Sequence, residues 1–262
     1  MTSAVGSRLH PVVLLHALPL NSAMWRSQAA ALRARGHLVL TPDQRGFGTT
    51  PLGSGPPSLD IVADDLAALL DERDIDGVAL AGCSMGGYVA MAFLRRHPGR
   101  VRALALLASR ATADTHETAA ERLRFADLML DETLHGQVVR RTAPLLLGAS
   151  TRAQCPDLVE EVLAMAEDAP PETVAWAQRA IAARPDSLSV LRATGVPAVV
   201  VTGAEDELVS LQDAARTADA LPRGRLVVVP GTGHLQPMEA SAQVTSLLTT
   251  LLDDAMTADR NR

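Results

Sequence analysis

Ser84 stands between two glycines and is the first place where this 262-residue sequence could do chemistry. Val78-Ala79-Leu80-Ala81 is an apolar, strand-like run. Gly82-Cys83-Ser84-Met85-Gly86 follows it, and a helical pattern covers 86–96. A G-x-S-x-G pattern alone is weak. Between a strand and a helix it describes a sharp turn that exposes the serine hydroxyl above the positive end of the helix. Such a hydroxyl is inert unless a base takes its proton, and the base needs an acid to orient it. Of seven histidines, His234 is the one that follows a late strand on a glycine-rich loop, Pro230-Gly231-Thr232-Gly233-His234. His116 and His135 fall among helical patterns, and His37 and His97 stand at helix ends, where terminal carbonyls are the expected partners. Three adjacent carboxylates, Glu205, Asp206 and Glu207, compete for the role of acid after the strand 197–202. Asp114, after an earlier strand, is a fourth candidate.

Positioning these groups requires strands that end on one side of a sheet. Short runs rich in Val, Ala and Leu predict strands at 11–15, 38–42, 77–81, 102–107, 196–202 and 225–229. Their continuous apolar character suits strands covered on both faces. Helical patterns alternate with them at 22–34, 59–72, 86–96, 209–221 and 239–254. Ser58 is placed to cap the second of these helices, Gly36 to stop the first and Pro98 to halt the third. From 109 to 193 the alternation ceases, and helical patterns broken by Pro144, Pro156 and Pro170-Pro171 take over. The expected organisation is α/β: a core of 1–108 and 194–262 with a helical cap inserted at 109–193. Apolar cap positions such as Leu123, Phe125, Leu128, Met129, Leu130, Leu134, Leu145–Leu147, Leu163, Met165 and Trp176 are expected to pack, some of them around a substrate pocket. Residues 255–262 read as a frayed tail.

Composition narrows the function classes. The net charge of −6 offers no electrostatic footprint for nucleic acid, and no apolar run is long enough to span a membrane. Cys83 and Cys155 form neither a disulfide framework nor a metal-ligand pattern, so a reducing, cytoplasmic setting without metal or cofactor is expected. Aromatic residues make up 2%, leaving Ala, Leu and Val to build the core.

His16-Ala17-Leu18-Pro19, Met24-Trp25 and Pro42-Asp43-Gln44-Arg45-Gly46-Phe47-Gly48, taken with 82–87, 106–110, 203–206 and 231–234, resemble the α/β-hydrolase superfamily. The branch they are most similar to holds esterases, enol-lactonases and non-haem perhydrolases. The resemblance implies a mostly parallel twisted sheet with helices on both faces and an inserted helical cap. It implies Ser84 as nucleophile, His234 as base and Asp206, from the G-x-x-D form, as acid, with Glu205 and Glu207 as solvated neighbours. It also implies backbone N–H groups of Leu18 and Met85 as the oxyanion hole. The activity implied is hydrolysis of a small-molecule carboxylic ester or lactone through an acyl-enzyme, with no cofactor. Perhydrolysis, carbon–carbon bond hydrolysis and a small-ligand receptor use the same scaffold and are the alternatives. Two departures stand out: Ala17 replaces the usual glycine after His16, and at most one short strand fits before Pro11, where the family opens with two. Asp43 and Arg45 read as a structural turn.

Overall fold

The computed structural model describes residues 9–260. Six strands form one parallel sheet among the described residues: β1 (Val12–Leu15), β2 (Val39–Leu40), β3 (Val78–Cys83), β4 (Val101–Leu107), β5 (Ala198–Gly203) and β6 (Gly224–Val229). Their order is β2-β1-β3-β4-β5-β6. β3 lies between β1 and β4, pairing Leu15 with Gly82 on one side and Leu107 with Cys83 on the other. The residues match the expected strands to within a few positions, and β1, β3 and β5 are buried on both faces as expected. By contrast, β6 at the sheet edge is partly exposed, with Arg225 and Val228 facing solvent. The stretch before Pro11, where at most one short strand fits, falls largely on residues 1–8, outside the described residues.

The chain leaves β1 for the edge strand β2 and then returns to β3 on β1's other side. Right-handed crossovers therefore put α1 (Arg26–Ala34) and α2 (Leu59–Asp71) on opposite faces of the sheet. The same rule places α3 (Met85–Arg96) beside α2, and these two helices pack together. Ser58 caps α2 by accepting the Asp60 N–H at 3.2 Å, as expected. α3 is buried on all sides from Met85 to Leu94, which is possible because its polar residues, Arg95 and Arg96, are saved for its last turn.

Between β4 and β5 stand α4 (His116–Met129), α5 (His135–Thr142), α6 (Ala149–Gln154), α7 (Pro156–Asp168), α8 (Pro171–Ala182) and α9 (Leu188–Ala193). The prolines that read as breaks here mark beginnings. Pro144 opens a 3-10 turn, while Pro156 and Pro171 sit at the first positions of α7 and α8, where a missing N–H costs nothing. After β5 come α10 (Leu211–Asp219), then β6, α11 (Gln236–Glu239) and α12 (Ser241–Arg260). α12 packs against α1 and corrects the expected frayed tail. Val244, Leu248, Leu251, Leu252 and Ala255 form one buried stripe, which carries the helix well past 254.

Candidate active site

The turn from β3 into α3 is one residue long. Ser84 occupies it with φ 53° and ψ −114°, a left-handed conformation that costs a side-chain-bearing residue about 1–3 kcal/mol. Two glycines make the turn possible. A Cβ at Gly82 would run into the Gly86 carbonyl, and one at Gly86 into the Leu15 carbonyl of the neighbouring strand. Cys83 is fully buried behind the turn, its Sγ 3.6 Å from the His234 carbonyl. Burial, aided by the charges of Asp206 and Glu239, pushes its thiol well above the ordinary range and keeps it protonated and unreactive.

β5 and β6 deliver the partners. Gly203 and Val229 are paired at the strand ends, so the loops that follow emerge side by side. His234 Nε2 lies 2.7 Å from Ser84 Oγ. Its Nδ1 faces both Asp206 oxygens at 2.9 and 3.0 Å. Asp206 is wholly buried, and it also accepts the Leu208 and Val209 N–H groups at 2.9 and 3.1 Å. Burial works to raise its carboxyl pKa. The His234 charge and the hydrogen bonds outweigh this and hold it below the usual value. An ionised Asp206 calls for the proton on Nδ1, leaving the Nε2 lone pair toward Ser84.

The rival carboxylates are occupied elsewhere. Asp114 is buried among Arg110, Arg122 and Arg184. Glu207 is exposed, 3.5 Å from Arg152. Glu205 is partly exposed, as expected of a solvated neighbour, but it is also engaged: it accepts the Ser150 N–H at 2.7 Å and the Ser150 hydroxyl at 2.5 Å. Glu239 is a support that sequence reasoning passed over. Its carboxylate accepts from Gly148 N, Thr151 Oγ1, Gly233 N and Leu235 N, all between 2.7 and 3.0 Å. The His234 N–H is fixed in turn by the Leu146 carbonyl at 2.9 Å. Only the position of Glu239 five residues after the histidine hinted at this. Two other histidines also find partners different from those expected: His97 meets the Asp64 carboxylate and His37 the His10 carbonyl.

Register places the loop after β1 beside the serine. Met85 N is the first amide of α3, and Leu18 N lies on the β1 loop; neither has a protein acceptor among the described residues. Ala17 is fully buried, its N–H against the Met24 sulfur at 3.1 Å. His16 holds this loop from beneath. Its Nε2 accepts the Gln44 N–H at 2.9 Å, its carbonyl accepts Gln44 Nε2 at 2.8 Å, and its Nδ1 reaches the Ala17 carbonyl at 3.0 Å. Asp43 accepts the Ser22 and Thr49 N–H groups, and Arg45 forks onto Asp65 at 2.7 Å, the structural turn expected of them.

Burial drives the His16 pKa from 6.5 down to about 4, overriding the Ala17 carbonyl and the Asp43 charge. The folded pKa lies below the unfolded one, so between pH 6.5 and 4 the unfolded chain takes up a proton that the folded chain refuses. Stability falls as pH drops through that window, by about 2 kcal/mol at pH 5, or roughly 4–8 °C in Tm. Thermal melts at pH 7.5 and 5.0 are expected to show a smaller pH-dependent drop for His16→Gln than for the wild type. Equal drops would remove His16 as the source.

A cavity of about 520 Å³ opens over Ser84 and His234, walled by Leu18, Phe125, Met129, Val139, Leu146 and Val174. Of the apolar positions singled out between β4 and β5, Phe125, Met129, Leu145 and Leu146 line it, whereas Leu123, Leu128, Leu130 and Leu134 face outward. Among the described residues no cluster of His, Cys, Asp and Glu could hold a metal ion, and no helix is long and apolar enough to cross a membrane.

Known proteins share this fold. An esterase from Thermogutta terrifontis, solved with malate bound, superposes with a TM-score of 0.89 at 35% identity, over 94% of this chain and 90% of that one. The enol-lactonase of Burkholderia xenovorans LB400 does so at 0.84 and 25% identity, covering 96% and 94%. In sequence, the 2-hydroxymuconate semialdehyde hydrolase of a Pseudomonas strain is 27% identical over 94% of this chain and 87% of its own. The α/β hydrolase fold family model matches residues 10–241. With a one-residue elbow on β3 and a parallel sheet that delivers the other loops to it, the chain belongs to the α/β hydrolase fold family.

Proposed function

We propose that this protein hydrolyses a carboxylic ester or lactone through an acyl-enzyme on Ser84. The observation that carries the reading is the continuous relay from Ser84 Oγ through His234 to Asp206, opening directly into a mainly apolar cavity. Ser84 Oγ attacks the carbonyl carbon as its proton passes to His234 Nε2. The resulting imidazolium faces the ionised Asp206. The oxyanion is held by the Leu18 and Met85 N–H groups, each worth about 10²–10³ in rate. His234 then gives its proton to the departing alkoxide as the ester C–O bond breaks. A water, deprotonated by His234, attacks the acyl carbon and releases the acid and Ser84. The helical segment 109–193 serves as the cap that shapes the pocket. Two unbridged cysteines, one buried and one exposed, support a reducing, cytoplasmic setting.

The reading is tested on a panel of p-nitrophenyl esters and lactones, with and without hydrogen peroxide. Multiple turnovers without peroxide are expected. Peroxide-dependent peracid formation as the main activity, or one stoichiometric burst with no further turnover, would replace ester hydrolysis by perhydrolysis or by ligand reception.

A further inference from the structure

The cavity over Ser84 carries two guanidinium groups that ester hydrolysis as such does not use. Arg110, just past β4, and Arg122, on α4, both line it. With Arg184 they share one wholly buried carboxylate, Asp114, at 2.6–2.8 Å. Asp213 lies 4.0 Å from Arg110 and takes the Ser210 hydroxyl. Glu121 and Glu207 also border the cavity, but both are exposed at its rim, where water screens them. Arg184 does not itself line the cavity, but three guanidinium groups set against Asp114 and Asp213 leave the cluster as a whole positive.

The hydrogen-bond inventory points the same way. Arg110 Nε is buried without a partner among the described residues. Arg122 gives Nε to Asp114 and Nη1 to Gln178 at 3.1 Å, and its Nη2 has no protein acceptor among the described residues. A guanidinium donor with no protein partner is open to a carboxylate, and the positive charge of both groups favours one there.

We infer that Arg110 and Arg122 form an anion subsite, and that the substrate is an ester or lactone bearing a free carboxylate. The carboxylate docks on the two guanidinium groups while the scissile carbonyl faces Ser84. The substrate class rests on the hydrolase reading of Ser84, whereas the anion site does not. Asp114 keeps both arginines in place, and removing either one still leaves it two partners.

The test compares mono-(4-nitrophenyl) glutarate with its neutral methyl ester. The wild type is expected to favour the charged substrate by at least ~10-fold in kcat/KM at low ionic strength, chiefly through KM. Arg110→Met and Arg122→Met are expected to bring that ratio toward one, and Arg110→Lys to recover part of it. Arg140→Met, at an exposed ion pair, is expected to leave the ratio unchanged. A wild type that prefers the neutral ester, or variants that slow both esters equally, would overturn the subsite. Calorimetric titration with glutarate decides the anion site independently of turnover. Saturable binding that weakens at least ~10-fold in Arg110→Met supports it, and absence of binding to the wild type refutes it. Glutarate binding without hydrolysis of any ester would retain the anion site and discard the hydrolase reading.

Discussion

Ser84→Ala is expected to lower kcat on any ester the protein turns over by at least ~10⁴-fold and to abolish covalent labelling by a fluorophosphonate. Alanine removes the oxygen that lies 2.7 Å from His234 Nε2 and leaves the base with nothing to deprotonate. The elbow itself survives, since its close approaches are made by Gly82 and Gly86, and alanine is no larger than serine at the strained φ of 53°. Thermal stability is therefore expected to change by no more than a few degrees. Labelling that persists at another serine, or kcat within tenfold of wild type, would move the nucleophile elsewhere.

Asp206→Asn is expected to cost about 10³–10⁴ in kcat with little change in fold. The amide oxygen of asparagine still accepts from Leu208 N and Val209 N, so the loop keeps its shape. What changes is the proton on His234. An amide N–H facing Nδ1 forces that nitrogen to accept, which moves the imidazole proton to Nε2 and takes away the lone pair aimed at Ser84. Fluorophosphonate labelling is expected to slow in proportion. If the variant keeps more than a tenth of wild-type kcat, the orienting acid lies elsewhere, and Asp114 is already engaged by three arginines.

The juxtaposition of Ser84, His234 and Asp206 was legible in the sequence because the chemistry proposed for them restricts both residue type and position. An elbow needs small neighbours on either side of Ser84, and the base and acid must follow strand ends to face it. The supports were not legible. Glu239 and Glu205 are ordinary charged residues in sequence, and their roles depend on which segments the fold brings within 3 Å. The end of α12 was missed for a different reason. Its last buried position is Ala255, whose small side chain barely marks an apolar stripe against Asp253 and Asp254. The prolines at 144, 156 and 171 were seen but misread, since a residue that ends one helix and one that begins the next look alike without the backbone.

The hydrogen bonds between residues 146–151 and Glu205, Glu239 and His234 bear on how this protein could be recombined with its relatives. The helices between β4 and β5 are the obvious module to exchange for a new specificity. Yet the middle of that module also braces the loops that carry Asp206 and His234. A chimera joined at 109 and 193 would import a foreign brace along with the foreign pocket and loosen the histidine it was meant to serve. Grafts that keep 146–151 native, exchanging α4 and α8 around them, separate the walls of the pocket from the bracing of the Asp206 and His234 loops.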